Sequence, residues 1–121
     1  MSVAKSSMTD EAYVPAAGDL VWTHFDPSLG REQNGRRPAL VLFPRDLASK
    51  TGFVIAAPIT SRVRPFPTSV VLPHDAPVSG EILLHQIRSI DILARPLKFA
   101  GRVSEEVARE VREKMGTLVG I

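Results

Sequence analysis

The stretch PALVLFP, residues 38–44, is an apolar run with a proline at each end, and FVIAAP, residues 53–58, is a second apolar run that follows Gly52 and ends with Pro58. Continuous apolar runs bounded by proline are typical of strands that are buried on both faces. We expect the second strand to end at Pro58 and an irregular connection over residues 45–52. Further apolar runs predict strands at 20–25, 69–72 and 81–90, with an edge strand near 99–103.

The end of the chain changes from strand-like to helical patterning. Ser104 is a good helix N-cap, and two acidic residues follow it where the positive end of the helix dipole lies. Apolar residues then recur with helical spacing at Val107, Val111, Met115, Leu118 and Val119. Strands grouped together and followed by one helix predict a mainly β fold, an antiparallel barrel-like sheet with a C-terminal helix.

Length and composition limit the class of protein. A chain of 121 residues fits one domain, and we expect a flexible leader at 1–17 before a single domain at 18–121. The chain has no cysteine, which excludes disulfides, thiolate zinc sites and cysteine nucleophiles. It also lacks an apolar run long enough for a membrane span or a secretory signal, so we expect a cytoplasmic protein.

The charge is concentrated in the central third of the sequence. Residues 31–64 carry seven basic and two acidic residues, whereas the whole chain has a net charge of only +2. A local cationic block attracts polyanions whatever the total charge is. The same arginines also have a simpler interpretation, as solvated residues of surface loops.

Polar side chains stand at or just beyond the ends of the predicted strands. No metal-ligand spacing, phosphate-binding glycine loop or serine-hydrolase elbow is present. An acid, an arginine, hydroxyls and a histidine are, however, the groups that metal-free cleavage of RNA requires: a base for the 2′-OH, a cation for the phosphate, and an acid for the leaving oxygen. The set consists of Glu32, Arg37, Thr60, Ser61, His85, Gln86 and Arg88.

Each member of this set also has a structural interpretation. Arg37 can be a surface residue or an ion-pair partner of Glu32, Thr60 can simply terminate a strand, and His85 can be a hydrogen-bonding strand residue. The hypothesis of RNA cleavage therefore depends on the whole set.

The order of the motifs resembles the MazF/PemK toxins of type II toxin–antitoxin systems over almost the whole chain, from residue 13 to 121. The resemblance is carried by GDLVW at 18–22, FDP at 25–27, GREQNGRRPALVL at 30–42, PITS at 58–61 and QIRSID at 86–91. It implies an SH3-like antiparallel β-barrel that forms a homodimer. It also implies a sequence-specific endoribonuclease that needs no metal or cofactor and leaves a 2′,3′-cyclic phosphate and a 5′-hydroxyl.

The resemblance assigns roles to individual residues. The family's essential arginine falls on Arg37, its threonine on Thr60 and its acidic loop residue on Glu32. Plasmid-type members have an aspartate where this chain has His85, so the base is either Glu32 or His85. We expect the remaining RNA contacts from Arg31, Gln33, Arg36, Ser61, Arg62, Arg64 and Gln86.

The expected partners are single-stranded mRNA, a second copy of the chain and a MazE-like antitoxin whose acidic segment covers the same groove, with DNA contacted only through the antitoxin. Two other functions stay open: a toxin of the same fold that binds gyrase, and a catalytically silent module that binds the antitoxin. The C-terminal Val119-Gly120-Ile121 lacks the tryptophan that the gyrase poisons carry there.

Overall fold

The computed structural model describes residues 13–24 and 36–120. They form seven strands, two α-helices and one 3₁₀ helix. In chain order these are β1 (Asp19–His24), β2 (Arg36–Val41), α1 (Arg45–Thr51), β3 (Phe53–Thr60), β4 (Ser69–Val71), β5 (Glu81–Leu83), the 3₁₀ helix (Leu84–Gln86), β6 (Arg88–Asp91), β7 (Lys98–Arg102) and α2 (Glu105–Val119).

The strands form one antiparallel sheet in the order β4-β5-β3-β2-β1-β7, and β6 pairs with β3 beside this path. Among the described strands β4 and β7 are the free ends, so the barrel-like sheet is not closed. This architecture confirms the predicted fold class, a mainly antiparallel β fold with a C-terminal helix.

Strand β3 runs through Pro58, so the prediction that this strand ends at the proline is wrong. One edge of β3 is shared by two partners: β6 pairs with residues 53–56, and β5 pairs with Ile59 and Thr60. Pro58 lies in the gap between these partners, where the backbone N–H that proline lacks is not needed for pairing. The strand therefore continues to Thr60, which lies at its end.

Two further predictions need correction. Residues 45–51 form helix α1 rather than an irregular connection; Asp46 lies in its first turn, and Gly52 ends it with a left-handed φ of 80°. The predicted strand at 81–90 is divided into β5, the 3₁₀ helix and β6. This division lets consecutive segments pair with opposite ends of β3.

Apolar side chains are buried on both faces of the sheet. One cluster combines β-strand residues such as Leu40, Ile59 and Ile82 with Val107 and Val111 of α2. The other contains the alternate strand residues, with Ala48 of α1 and Ile90 of β6. Because β3 contributes to both clusters, its run is almost continuously apolar, as the sequence suggested.

Helix α2 begins and ends as predicted. The Ser104 hydroxyl accepts a hydrogen bond from the Val107 N–H at 3.2 Å, and Gly120 closes the helix with a φ of 77°. Lys114 Nζ donates to the Ser69 carbonyl oxygen at 2.7 Å, which ties the second half of α2 to β4. No helix in the described part of the chain is long and apolar enough to cross a membrane.

The described part of the predicted leader lies against the sheet. The Asp19 carboxylate, only 2% exposed, accepts hydrogen bonds from Tyr13 Oη at 2.7 Å and from the Ala16 N–H at 3.0 Å, and it pairs with Arg102 of β7. Burial and the hydrogen bond to Asp19 raise the pKa of the Tyr13 phenol. This clasp fastens residues 13–17 to the start of β1.

Candidate active site

A cavity of about 390 Å³ opens where strands β1, β2 and β3 come together at one end of the sheet. Four of the residues predicted to act on RNA line this cavity: Arg36, Arg37, Thr60 and Ser61. Apolar walls are provided by Trp22, Pro38 and Ile59. The structure therefore brings together the arginine and the threonine, which lie 23 positions apart in the sequence and belong to different strands.

The sheet register explains why Arg37 and Thr60 meet. Strands β2 and β3 pair Ala39 with Pro58. Because side chains alternate along each strand, Arg37 and Thr60, which lie two residues further on, point to the same side of their strands. The guanidinium and the hydroxyl thus share one face of the sheet.

Thr23 extends this row of residues onto the neighbouring strand, since it pairs directly with Arg37 in the β1–β2 register. Its side chain is 1% exposed, and its Oγ1 has no hydrogen-bond partner within residues 13–24 and 36–120. Thr23 is not among the predicted site residues, because a threonine inside an apolar strand does not by itself indicate a functional site.

The Thr60 hydroxyl accepts a hydrogen bond from the backbone N–H of Arg62 at 3.1 Å. This contact orients the oxygen but leaves the hydroxyl hydrogen available, since a hydroxyl accepts and donates at once. Gly80 packs against the other side of the same residue: a Cβ added to Gly80 would lie 2.4 Å from the Thr60 carbonyl oxygen. Thr60 is therefore fixed by its neighbours while its O–H can be donated to an anion.

Side chains alternate along β2, so Arg36 lies on the opposite face of the strand from Arg37, and the cavity at the strand ends is lined by residues from both faces. Its guanidinium carbon is 5.7 Å from the centroid of the Trp22 ring, within cation–π range. Trp22 also packs on the apolar cluster below. This contact places a second cation at the rim of the cavity.

The β3–β4 loop (residues 61–68) carries further predicted RNA-binding residues. Arg62 and Arg64 are exposed, as are Ser61 before them and Phe66 after them. Together with Arg36 and Arg37, this loop forms a cationic margin beside Thr60.

His85 lies beside this loop and is not among the described residues that line the cavity. Its Nδ1 is 2.9 Å from Thr68 Oγ1, and its ring meets the Phe66 ring edge-on with centroids 5.5 Å apart. Gln86 follows it in the 3₁₀ helix and is exposed. His85 thus contacts the β3–β4 loop, whereas Arg37 and Thr60 line the cavity.

Beneath the loop lies Glu81, which the sequence analysis counted only as a polar residue in an apolar run. Its side chain is fully buried and accepts hydrogen bonds from the N–H groups of Arg64 at 2.7 Å and Phe66 at 3.2 Å, and from the Ser69 hydroxyl. Burial raises the pKa of the Glu81 carboxyl, but these hydrogen bonds and the nearby charge of His85 bring it below its usual value. In the sequence, the only indication of this buried carboxylate is a single acidic residue at the start of the apolar run EILL.

Three predicted residues, Arg31, Glu32 and Gln33, lie outside the described residues. In the ranges that the structure does describe, no group of three or more histidine or acidic side chains is arranged to hold a metal ion.

Known proteins resemble this chain over nearly its full length. The family described as "PemK-like, MazF-like toxin of type II toxin-antitoxin system" matches residues 16–119. The endoribonuclease toxin MazF of Escherichia coli K12 is 39% identical over 108 residues, covering 89% of this chain and 96% of the relative.

Solved structures agree with this match. MazF of Deinococcus radiodurans superposes with a TM-score of 0.79 at 45% identity, covering 90% of this chain and 99% of the other. A MazE–MazF structure from the same organism gives 0.78 at 41% identity, with 90% and 98% covered. The curated relatives are named endoribonucleases, which confirms the enzyme class expected from the sequence. The chain therefore belongs to the PemK-like, MazF-like toxin family of type II toxin–antitoxin systems.

Proposed function

We propose that this toxin cleaves single-stranded mRNA by attack of a ribose 2′-OH on the adjacent phosphate, without a metal ion. The observation that carries the proposal is the shared cavity of Arg37 and Thr60 at the end of three strands. A guanidinium and a hydroxyl on one face of a rigid sheet are suited to bind a single phosphate. The basic loops around the cavity and the endoribonuclease relatives support the same substrate class.

The proposed chemistry assigns a role to each group. A base removes the proton from the 2′-OH, and the oxygen attacks phosphorus. The Arg37 guanidinium stabilises the negative charge that develops on the phosphate oxygens, and the Thr60 O–H donates to one of them. The 5′-oxygen leaves with a proton, which yields a 2′,3′-cyclic phosphate and a 5′-hydroxyl. DNA is not a substrate for this step because it has no 2′-OH.

The base is either Glu32 or His85 in this proposal. His85 lies beside the β3–β4 loop, with its Nδ1 2.9 Å from Thr68 Oγ1, and an imidazole is a group that can serve as a general base. The pH–rate profiles of Glu32→Gln and His85→Ala distinguish the two candidates. The variant that lacks the true base should lose the fall in rate at low pH, which reflects protonation of that base.

Binding of the RNA chain itself is assigned to the cationic margin. We expect Arg36, Arg62 and Arg64 to bind phosphates on either side of the scissile one, with Arg31, Gln33, Ser61 and Gln86 completing the groove. A groove of this charge also suits an acidic segment of an antitoxin that folds on binding. The relative from D. radiodurans was solved together with MazE, which supports that pairing. A homodimer would cover free edges of the sheet such as β4 and β7.

The deciding experiment is primer-extension mapping of cleavage on a long RNA in the presence of EDTA. We expect cuts at one short sequence, products with a cyclic phosphate, and no cuts with Arg37→Ala. Cleavage that requires a divalent ion contradicts the mechanism. Absence of cleavage together with inhibition of gyrase supercoiling points to a protein-binding toxin, and antitoxin binding alone points to a silent module.

A further inference from the structure

The β3–β4 loop is anchored from below by one buried carboxylate. Glu81 accepts hydrogen bonds from two backbone N–H groups of the loop, those of Arg64 and Phe66, and from the hydroxyl of Ser69 just beyond it. Among the described residues no cation lies within ion-pair distance of this carboxylate. The charge is therefore balanced by backbone N–H groups, each of which must point inward to reach it.

This anchor constrains the backbone of the loop that carries the two arginines. With the N–H groups of residues 64 and 66 turned toward the interior, the loop has a defined path over the carboxylate, and Arg62 and Arg64 remain exposed. A loop with two exposed arginines and no internal anchor would sample many conformations, and ordering it on RNA would cost conformational entropy. The carboxylate provides that order before RNA binds.

The same carboxylate is tied to the candidate active site by strand pairing. Glu81 pairs with Thr60 in the β3–β5 register, and Gly80 before it contacts the Thr60 carbonyl oxygen. One strand end thus supports both the hydroxyl that faces the cavity and the loop that follows it. A displacement of β5 would move both.

We propose that Glu81 is a positioning residue for RNA binding, whose buried carboxylate holds the β3–β4 loop so that Arg62 and Arg64 bind the phosphates beside the scissile one. Glu81 does not touch the RNA. The proposal rests on the function proposed above and adds to it a residue that lies outside the cavity.

The test measures how RNA affinity depends on salt. A mixed-sequence 2′-O-methyl oligoribonucleotide is bound without being cleaved, because the attacking hydroxyl is blocked. Each lost phosphate contact lowers the log–log salt slope by about 0.7, so the double variant Arg62→Ala/Arg64→Ala should lower it by about 1.4. Glu81→Gln, which keeps the shape but removes the charge, should lower the slope by about 0.7 to 1.4. In the triple variant Arg62→Ala/Arg64→Ala/Glu81→Gln, the salt slope should be no lower than in the double arginine variant, since the loop then has no arginine to position.

A matched control is provided by the second buried carboxylate, Asp19, which also accepts three hydrogen bonds but lies at the other end of β1 from Thr23. Asp19→Asn should lower thermal stability and leave the salt slope at the wild-type value. If it flattens the slope as much as Glu81→Gln does, the effect is general destabilisation and the proposal is wrong.

The wild-type protein offers a test that needs no folded variant. Amide hydrogen exchange of Arg64 and Phe66 should be slow, although both residues lie in an exposed loop, whereas the Val63 amide should exchange faster. Equal exchange at the three amides overturns the proposal.

Different results would contradict the phosphate contacts of the proposed function and the positioning role of Glu81. If the double arginine variant keeps the wild-type slope, the phosphate contacts of the proposed function are wrong, and the role of Glu81 falls with them. If the double variant flattens the slope and Glu81→Gln does not, only the positioning role is refuted.

Discussion

The shared cavity of Arg37 and Thr60 predicts that their contributions to catalysis are coupled. A double-mutant cycle tests this by comparing the cleavage rates of the wild type, Arg37→Ala, Thr60→Val and the double variant. Valine keeps the shape of threonine and removes only the hydroxyl, and water replaces that hydroxyl as the acceptor for the exposed Arg62 N–H. Both residues line one cavity at the end of the sheet, and in the proposed function both act on the same phosphate.

The expected magnitude follows from that geometry. Loss of one preorganised donor to a developing oxyanion costs about 2.7–4 kcal/mol, a factor of about 10²–10³ in rate. Two independent donors would together cost about 5.4–8 kcal/mol. In the proposed function one phosphate is bound by both groups, so removing either one should release it from its fixed position. We therefore expect the double variant to be slower than Arg37→Ala by only about tenfold.

The assay is single-turnover cleavage of an RNA containing the mapped site, in EDTA, with enzyme in excess. Circular dichroism should show all three variants folded, since Arg37 is exposed and Thr60 is half-buried at a strand end. Arg37→Lys serves as the control for charge alone: it keeps a cation but loses the planar fork, and it should recover only part of the rate. Wild-type cleavage by either single variant, or strict multiplication of the two losses, refutes the reasoning.

Three further outcomes follow from the fold. Gly80→Ala should lower stability by about 1–3 kcal/mol and slow cleavage, since the added Cβ would clash with the Thr60 carbonyl oxygen; denaturant unfolding beside the cleavage assay measures both. Ser104→Ala should remove a helix cap and cost about 1 kcal/mol in thermal unfolding, whereas Ser49→Ala in α1 should cost much less. Glu81 has a lowered pKa in the folded state, so its stabilising contribution is present above its unfolded value of about 4.3 and is lost as the pH falls through the folded value. Acid unfolding of Glu81→Gln should therefore depend less steeply on pH than that of the wild type.

Local patterns were sufficient to predict much of the fold and part of the site. The proline-bounded run at 38–44 and the Ser104 cap depend on short-range preferences. The capped α2 is present, and so is the strand β2, although it runs from Arg36 through Pro38 to Val41 rather than starting after the proline. Arg37 and Thr60 were selected because each stands at a strand end, and the sheet brings such ends together. The resemblance to a family then supplied their roles.

The features that were missed depend on contacts distant in the sequence. Pro58 was taken as a strand end because proline lacks an N–H, but the change of partner along β3 removes the need for one there. Glu81 acts on residues 15 and 17 positions before it, and no local pattern in the chain shows that relation. The position of Thr23 beside Arg37 likewise depends on the strand register rather than on its neighbours in sequence.

The Tyr13–Asp19–Arg102 clasp has a practical consequence for attaching this toxin to a surface or a dye. It fastens the chain ahead of β1 to the end of the sheet that lies away from the cavity, since Asp19 begins β1 and Thr23 lies near its other end. The last turns of α2 are instead tethered near the β3–β4 loop through Lys114 and Ser69. A fusion joined ahead of Tyr13 should leave the cationic margin accessible to long nucleic acids, whereas one joined after Gly120 would emerge beside it.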